Sequence, residues 1–193
     1  MLTPVGALTK AETRAAARKL GLVTAEKAES VEICFVPDDD YVAVLTRHLP
    51  ADAPALVPGP LVTTSGEVIG EHDGFARYTV GQRRGLPGGS SEPLYVVAIR
   101  PETREVVVGR GAELFGHDVS LEEVNWLIDP LSPGDVVWVQ CRYRARAVPG
   151  TIAAQASGRI ALRLAEPVRA IAPGQSGVLY DANDRLLGGG VIA

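Results

Sequence analysis

Three places in this 193-residue chain gather side chains that could do chemistry. The first is Gly-Glu-His-Asp-Gly-Phe-Ala-Arg-Tyr-Thr-Val-Gly-Gln-Arg-Arg-Gly-Leu, residues 70–86. Gly70, Gly74, Gly81 and Gly85 permit backbone angles that other residues avoid. Tyr78, Gln82, Arg83 and Arg84 supply a ring, an amide and two guanidiniums, a set that could stack a base and hold phosphates. The same stretch also reads as a structural loop whose arginines are solvated or paired with Glu71 and Asp73. The second place is Cys-Arg-Tyr-Arg-Ala-Arg, residues 141–146. Read as a strand, it puts Arg142, Arg144 and Arg146 on one face, ~7 Å apart, with Tyr143 opposite. Such a row could track a phosphate backbone, or be an ordinary solvated strand face. The third is Cys34. A lone cysteine in an apolar strand is usually buried and inert. A reachable, ionised thiol could instead carry a sulfane sulfur as a persulfide.

Other signatures are missing. There is no P-loop, no G-x-G-x-x-G after a strand, no H-E-x-x-H and no paired C-x-x-C. No metal site is expected. Leu-Gly-Gly-Gly-Val-Ile near the end has no following helix, so it reads as tight packing rather than a phosphate cradle.

The elements that must position these groups change character along the chain. Thr9 and Glu12 form a capping box for a helix that stops at Gly21. "VEICFV" reads as a buried strand carrying Cys34. Asp38, Asp39 and Asp40 favour a helix N-terminus, Tyr41, Val44, Leu45, His48 and Leu49 follow at helical spacing, and Pro50 closes it. From Leu61 onward the pattern is strands. "GPLVTTSGEVIG" is a hairpin turning at Ser65-Gly66, and "PLYVVAIR" with "EVVVG" is a second, joined by "PETR". Then come "VVWVQCRYRARAV", "RIALRLAEPV", "SGVLYD" and "LLGGGVIA", with a boundary near Glu113–Asp118. Strands at this spacing suggest a small barrel or sandwich.

Composition agrees. With 46% hydrophobic residues, Gly 21, Pro 14 and only 5% aromatics, the chain suits a turn-rich β protein. No segment resembles a signal peptide or membrane span, which points to the cytoplasm and away from a membrane. Two cysteines make no disulfide framework. Net charge is -4, but it is unevenly spread: residues 1–60 carry six bases and eight acids, 61–135 six and twelve, and 136–193 seven and three. The last segment therefore reads as a basic module on an acidic body. All but three of the nineteen cations are Arg, which can bind phosphate bidentately and stack on bases.

Taken together, "LTKAETR", "ESVEICFV", "GEVIGEHDGFARYTVGQRRGL", "PLYVVAI", "CRYR", "EPVRAIAPGQSGVLYD" and "LGGGVI" resemble the bacterial tRNA-specific 2-thiouridylase family, in family order across nearly the whole chain. The resemblance implies thiolation of the wobble uridine of tRNA at position 2. ATP is the co-substrate, used by an N-terminal domain to adenylate the uracil oxygen, and a cysteine persulfide supplies the sulfur. Cys34 matches the persulfide carrier. Arg142, Tyr143 and Gln175 match tRNA-contacting positions, with Arg144, Arg83 and Arg84 as further candidates. A sulfur-donor protein, either a cysteine desulfurase or a sulfur-relay protein, is the implied partner besides tRNA. The implied fold is mainly β with short N-terminal helices. Residues 1–40 would be the last segment of the catalytic domain, 41–114 a small central α+β domain, and 115–193 an antiparallel β-barrel. The 193 residues hold neither the family's Ser-Gly-Gly-x-Asp-Ser loop nor its second catalytic cysteine, which Cys141 does not match. A Val-Glu pair precedes Ile33 where many members carry Gly. By itself the chain is therefore expected to be inactive. The other reading is a non-catalytic RNA-binding module working with a separate ATP-binding chain.

Overall fold

The computed structural model describes residues 4–27, 36, 40–88 and 92–193. The strand expected around Cys34 lies outside the described residues. By contact, the chain divides into Met1–His48 and Leu49–Ala193.

Among the described residues the first unit holds two α-helices. α1, Lys10–Lys19, begins with the expected capping box: the Thr9 hydroxyl accepts from Glu12 N–H, and the Glu12 carboxylate accepts from Thr9 N–H. That reciprocal pairing satisfies two of the donors a helix start leaves free. Gly21, at φ +66°, takes the left-handed turn just past the end. α2, Tyr41–His48, starts where the Asp40 carboxylate accepts from Ala43 N–H at 3.0 Å.

Among the described residues the second unit is built from ten strands. β1 (Gly59–Thr63) and β2 (Val68–His72) form the first hairpin, with Gly66 at φ +88° in its turn. β3 (Leu94–Arg100) and β4 (Glu105–Arg110) form the second, and β1 pairs parallel with β4. The sheet order is β2-β1-β4-β3, over a core of Leu61, Val96, Val106 and Val108.

β5 (Phe115–Trp126), β6 (Val136–Gln140), β7 (Val148–Ala156), β8 (Arg159–Arg169), β9 (Ser176–Tyr180) and β10 (Leu186–Ile192) close into a barrel in the order β10-β5-β8-β7-β6-β9. Every barrel pairing is antiparallel. Closure removes the exposed edges an open sheet would present. Inward positions alternate cleanly along β8, where Ile160, Leu162 and Leu164 are all buried. Leu121, Ile152 and Leu179 join them, each contributing ~1.5–3 kcal/mol by burial. The glycines of β10 lie where it runs tightly between neighbours: a Cβ on Gly188 would sit 2.5 Å from Asn125 O, and one on Gly189 2.6 Å from Gly177 O. Tight packing is thus what Leu-Gly-Gly-Gly encodes.

Two expectations need correction. "VVWVQCRYRARAV" is not one strand: β6 stops at Gln140 and β7 starts at Val148. The barrel is also not a basic module. β5 belongs to it and brings Asp118, Glu122 and Glu123, and the loop after it brings Asp129 and Asp135, so residues 115–193 carry seven bases and eight acids, net -1.

Candidate nucleic-acid interface

Because all six barrel strands alternate in direction, their loops sort onto two rims. One rim carries the β6–β7 loop, the β8–β9 loop and the start of β5. The other carries the β5–β6, β7–β8 and β9–β10 connections.

The β6–β7 loop is a braced turn. Cys141 is buried in the barrel core as the chain leaves β6, and burial raises its thiol above the ordinary value. Ala145 N–H then donates to Arg142 O at 3.0 Å, and Arg144 takes φ +62°. The Gln140 amide reaches over and donates to Ala145 O at 2.6 Å, while Tyr180 OH donates to the Gln140 amide oxygen at 3.3 Å. Arg142, Tyr143 and Arg144 therefore lie in a turn and do not alternate on a strand. In a turn nothing forces Arg142 and Tyr143 to opposite faces. Tyr143 is 85% exposed, and the Arg144 guanidinium sits 5.3 Å from its ring centre.

Gln175 belongs to the same rim. β6 and β9 pair Gln140 with Val178, so β9 begins where β6 ends. Gln175 stands just before β9, half-buried. Its N–H donates to Ala172 O at 3.3 Å, and its carbonyl accepts from Ile192 N–H at 2.8 Å. The register thus brings Arg142, Tyr143 and Gln175 to one end of the barrel.

Charge follows the same division. Arg159 pairs with Glu122 at 2.8 Å and Arg163 with Asp118 at 2.6 Å. Arg142, Arg144, Arg146 and Arg169, all on the Gln175 rim, make no ion pair among the described residues. Glu166, the acid nearest this rim on β8, pairs with none of them. The opposite rim holds Asp129, Asp135, Asp181 and Asp184 against Arg185 in its loops. The barrel is nearly neutral in sum yet cationic at one end, and phosphate attraction depends on local charge.

The Gly70–Leu86 stretch splits into structural and exposed parts. His72 is buried. Gly74 N–H donates to its Nδ1 at 3.0 Å, which leaves the proton on Nε2 for Arg104 O at 2.9 Å. Tyr78 packs on the sheet core, its ring 5.5 Å from that of His72. Burial, then the Asp73 carboxylate, raises its phenol above the ordinary value. The Gln82 amide accepts from Thr79 N–H at 3.1 Å and donates to Arg84 O at 2.9 Å. Tyr78 and Gln82 are thus occupied in building the loop. Arg83 and Arg84 remain exposed, without ion pairs to Glu71 or Asp73 among the described residues.

This loop touches the barrel. A Cβ on Gly81, at φ +91°, would lie 3.1 Å from Ala170 Cβ, and the Arg169 guanidinium lies 5.1 Å from the Tyr95 ring centre. Neither Gln140 nor Arg169 was singled out from sequence. Only the cross-strand register reveals them.

Three family profiles match in succession: a tRNA methyl transferase HUP domain at residues 1–38, a tRNA methyl transferase PRC-barrel domain at 43–110, and an aminomethyltransferase beta-barrel domain at 117–192. A protein of Acidithiobacillus ferrooxidans named tRNA-specific 2-thiouridylase MnmA is 48% identical over 98% of this chain and 53% of its own length. The chain belongs to the tRNA-specific 2-thiouridylase family. Members from Rhodospirillum centenum, 44% identical over 98% of this chain and 49% of theirs, and Carboxydothermus hydrogenoformans, 42% over 100% and 52%, carry the same name. The chain spans about half the length of these curated relatives.

Cys34, the residue expected to carry the persulfide, lies outside the described residues. Among the described residues no cluster of His, Cys, Asp or Glu could hold a metal, and no helix is long and apolar enough to cross a membrane.

Proposed function

We propose that this chain is the tRNA-holding and sulfur-carrying part of a tRNA 2-thiouridylase. Arg142 and Tyr143 on the braced turn, with Gln175 beside them, contact the tRNA; Arg144, Arg83 and Arg84 extend that surface. The observation that carries the reading is the charge sorting: of the five barrel guanidiniums left without a carboxylate partner among the described residues, four gather on the rim that holds Gln175, and only Arg185 lies on the other. Residues 1–40, 41–114 and 115–193 act as a catalytic-domain segment, a central domain and a tRNA-contacting barrel.

In the reaction, ATP bound by the HUP domain supplies the adenylate that makes the uracil oxygen a leaving group. The Cys34 persulfide, loaded by a cysteine desulfurase or sulfur-relay protein, attacks C2 and AMP departs. A second thiolate then attacks the Cys34 sulfur, forming a disulfide and leaving the thione on the base. The 193 residues contain neither the adenylation loop nor that second cysteine, so this chain with tRNA, ATP and a persulfide donor forms no 2-thiouridine.

The test of the interface is tRNA binding across a salt series. Arg142→Ala weakens binding and reduces the slope of log affinity against log salt by somewhat under one unit, as expected for one lost phosphate contact. Identical affinity and slope in both proteins remove Arg142 from the interface. For the chemistry, Cys34→Ser in a protein with the complete HUP domain abolishes sulfur transfer and leaves adenylation intact; continued thiolation refutes the role.

A further inference from the structure

We propose that Arg169 is a further phosphate-binding residue, held ready at the seam between the central sheet and the barrel; the inference rests on the tRNA reading of the rim. Arg169 ends β8 and is half-buried. A guanidinium removed from water ordinarily has a carboxylate or carbonyl partner. This one has neither: among the described residues its side chain makes no hydrogen bond and no ion pair. Its one side-chain interaction is the stack on Tyr95, 5.1 Å from guanidinium carbon to ring centre. That contact spends no hydrogen bond, so the N–H donors of the guanidinium are uncommitted among the described residues. That is the state in which an arginine can accept a phosphate bidentately without first breaking a protein contact.

Its position is fixed from both sides. The next residue, Ala170, is buried at φ +56° and its N–H donates to Leu114 O at 2.8 Å. From the sheet, Gly81 presses on Ala170, and a Cβ on Gly81 would stand 3.9 Å from Arg169 Nη1. Arg83 and Arg84 follow Gly81 after one residue, Gln82. Arg142, Arg144 and Arg146 share the rim. Arg169 thus links two exposed cationic segments that are far apart in sequence. Its pairing partner on β5 is Phe115, an exposed ring of the kind on which a base stacks.

The experiment measures affinity for a tRNA transcript over a salt series, with thermal unfolding recorded for each protein, for the parent chain, Arg169→Gln, Tyr95→Leu and Arg142→Ala. Arg169→Gln should bind more weakly, with the slope reduced by about 0.9 unit or somewhat less. Tyr95→Leu keeps the charge but frees it, so affinity falls while the slope holds. Parental affinity and slope in Arg169→Gln overturn the proposal, and a lowered melting temperature alone would mark the stack as purely structural. Parental affinity in Tyr95→Leu overturns the preorganisation and serves as the deciding arm if Arg169→Gln does not fold. A response from Arg142→Ala but not from Arg169→Gln sinks this inference and leaves the tRNA reading standing. A parent chain that binds no tRNA sinks both.

Discussion

Replacing Gln140 by Ala should weaken tRNA binding without changing its salt dependence. Gln140 carries no charge and holds the turn from behind, through Ala145 O at 2.6 Å and Tyr180 OH at 3.3 Å. A neutral hydrogen bond contributes ~0.5–1.5 kcal/mol net. The first bond is short and part-buried; the second is long and counts for less. Together they supply about 1–2 kcal/mol of preference for the observed turn. If all of it appeared in binding, affinity would fall about 5- to 30-fold, at 1.4 kcal/mol per tenfold. The turn keeps its own Ala145-to-Arg142 bond at 3.0 Å, and water can reach the freed groups, so the lower end, about fivefold, is expected. All four rim guanidiniums are still present, so the salt slope stays at the parental value. The assay is tRNA binding at several salt concentrations, with thermal unfolding as a control for global damage. Unchanged affinity in Gln140→Ala would show that the turn does not need its brace. A reduced slope would show that the side chain acts through charge after all, and would refute the reasoning.

Three other outcomes can be checked. Gly81→Ala forces a Cβ into φ +91° and to 3.1 Å from Ala170 Cβ, which should cost ~1–3 kcal/mol in denaturant unfolding; a change below a few tenths would mean the contact relaxes freely. Limited alkylation with mass mapping should modify Cys34 before Cys141, because Cys141 is 3% exposed and burial raises its thiol; the reverse order counts against Cys34 as sulfur carrier. The Glu113 carboxyl is held below its ordinary value first by Thr64 OH and then by Arg110 N–H at 2.6 Å. A depressed folded value gives stability that is present above the unfolded carboxyl pKa, ~4.3, and lost as pH falls through the folded value. Glu113→Gln should therefore lower the melting temperature near neutrality, with the gap closing in acid; a gap that is constant with pH would exclude this linkage.

What the sequence made legible depended on whether local pattern and tertiary register agreed. α1 announces itself through Thr9 and Glu12, and β8 through unbroken alternation at Ile160, Leu162 and Leu164. β5 does not. Val119 and Leu121 point inward, but Glu123 takes φ +51° and the inward positions after it become Val124 and Trp126. That shift of parity hides a twelve-residue strand from any period-two reading. β7 was obscured by Pro149 and Gly150, both poor strand formers on their own. At 141–146 the alternating arginines imitate a strand, yet Arg144 adopts a left-handed backbone and the chain turns. Gln140 and Tyr180, which secure that turn, are forty residues apart in sequence. Tyr78 and Gln82 offered the right chemistry for nucleic acid, but the fold uses both internally.

Net charge is a poor guide to this barrel, and the reason is topological. Segment 136–193 carries an excess of four bases, which suggests a cationic body. Antiparallel closure inserts the acidic β5 between β8 and β10, and Glu122 and Asp118 each neutralise one arginine. What survives is polarity. Loops that leave one rim carry Arg142, Arg144, Arg146 and Arg169; loops that leave the other carry Asp129, Asp135, Asp181 and Asp184. At physiological salt the Debye length is about 8 Å, so a polyanion approaching the barrel responds to the rim it meets and only weakly to the far one. A row of arginines on a strand face would have offered phosphates a flank. The turn offers them an end, beside the seam where Gly81 meets Ala170. This geometry lets a chain of net charge -4 present a cationic surface, one that draws on two segments that the sequence keeps some sixty residues apart.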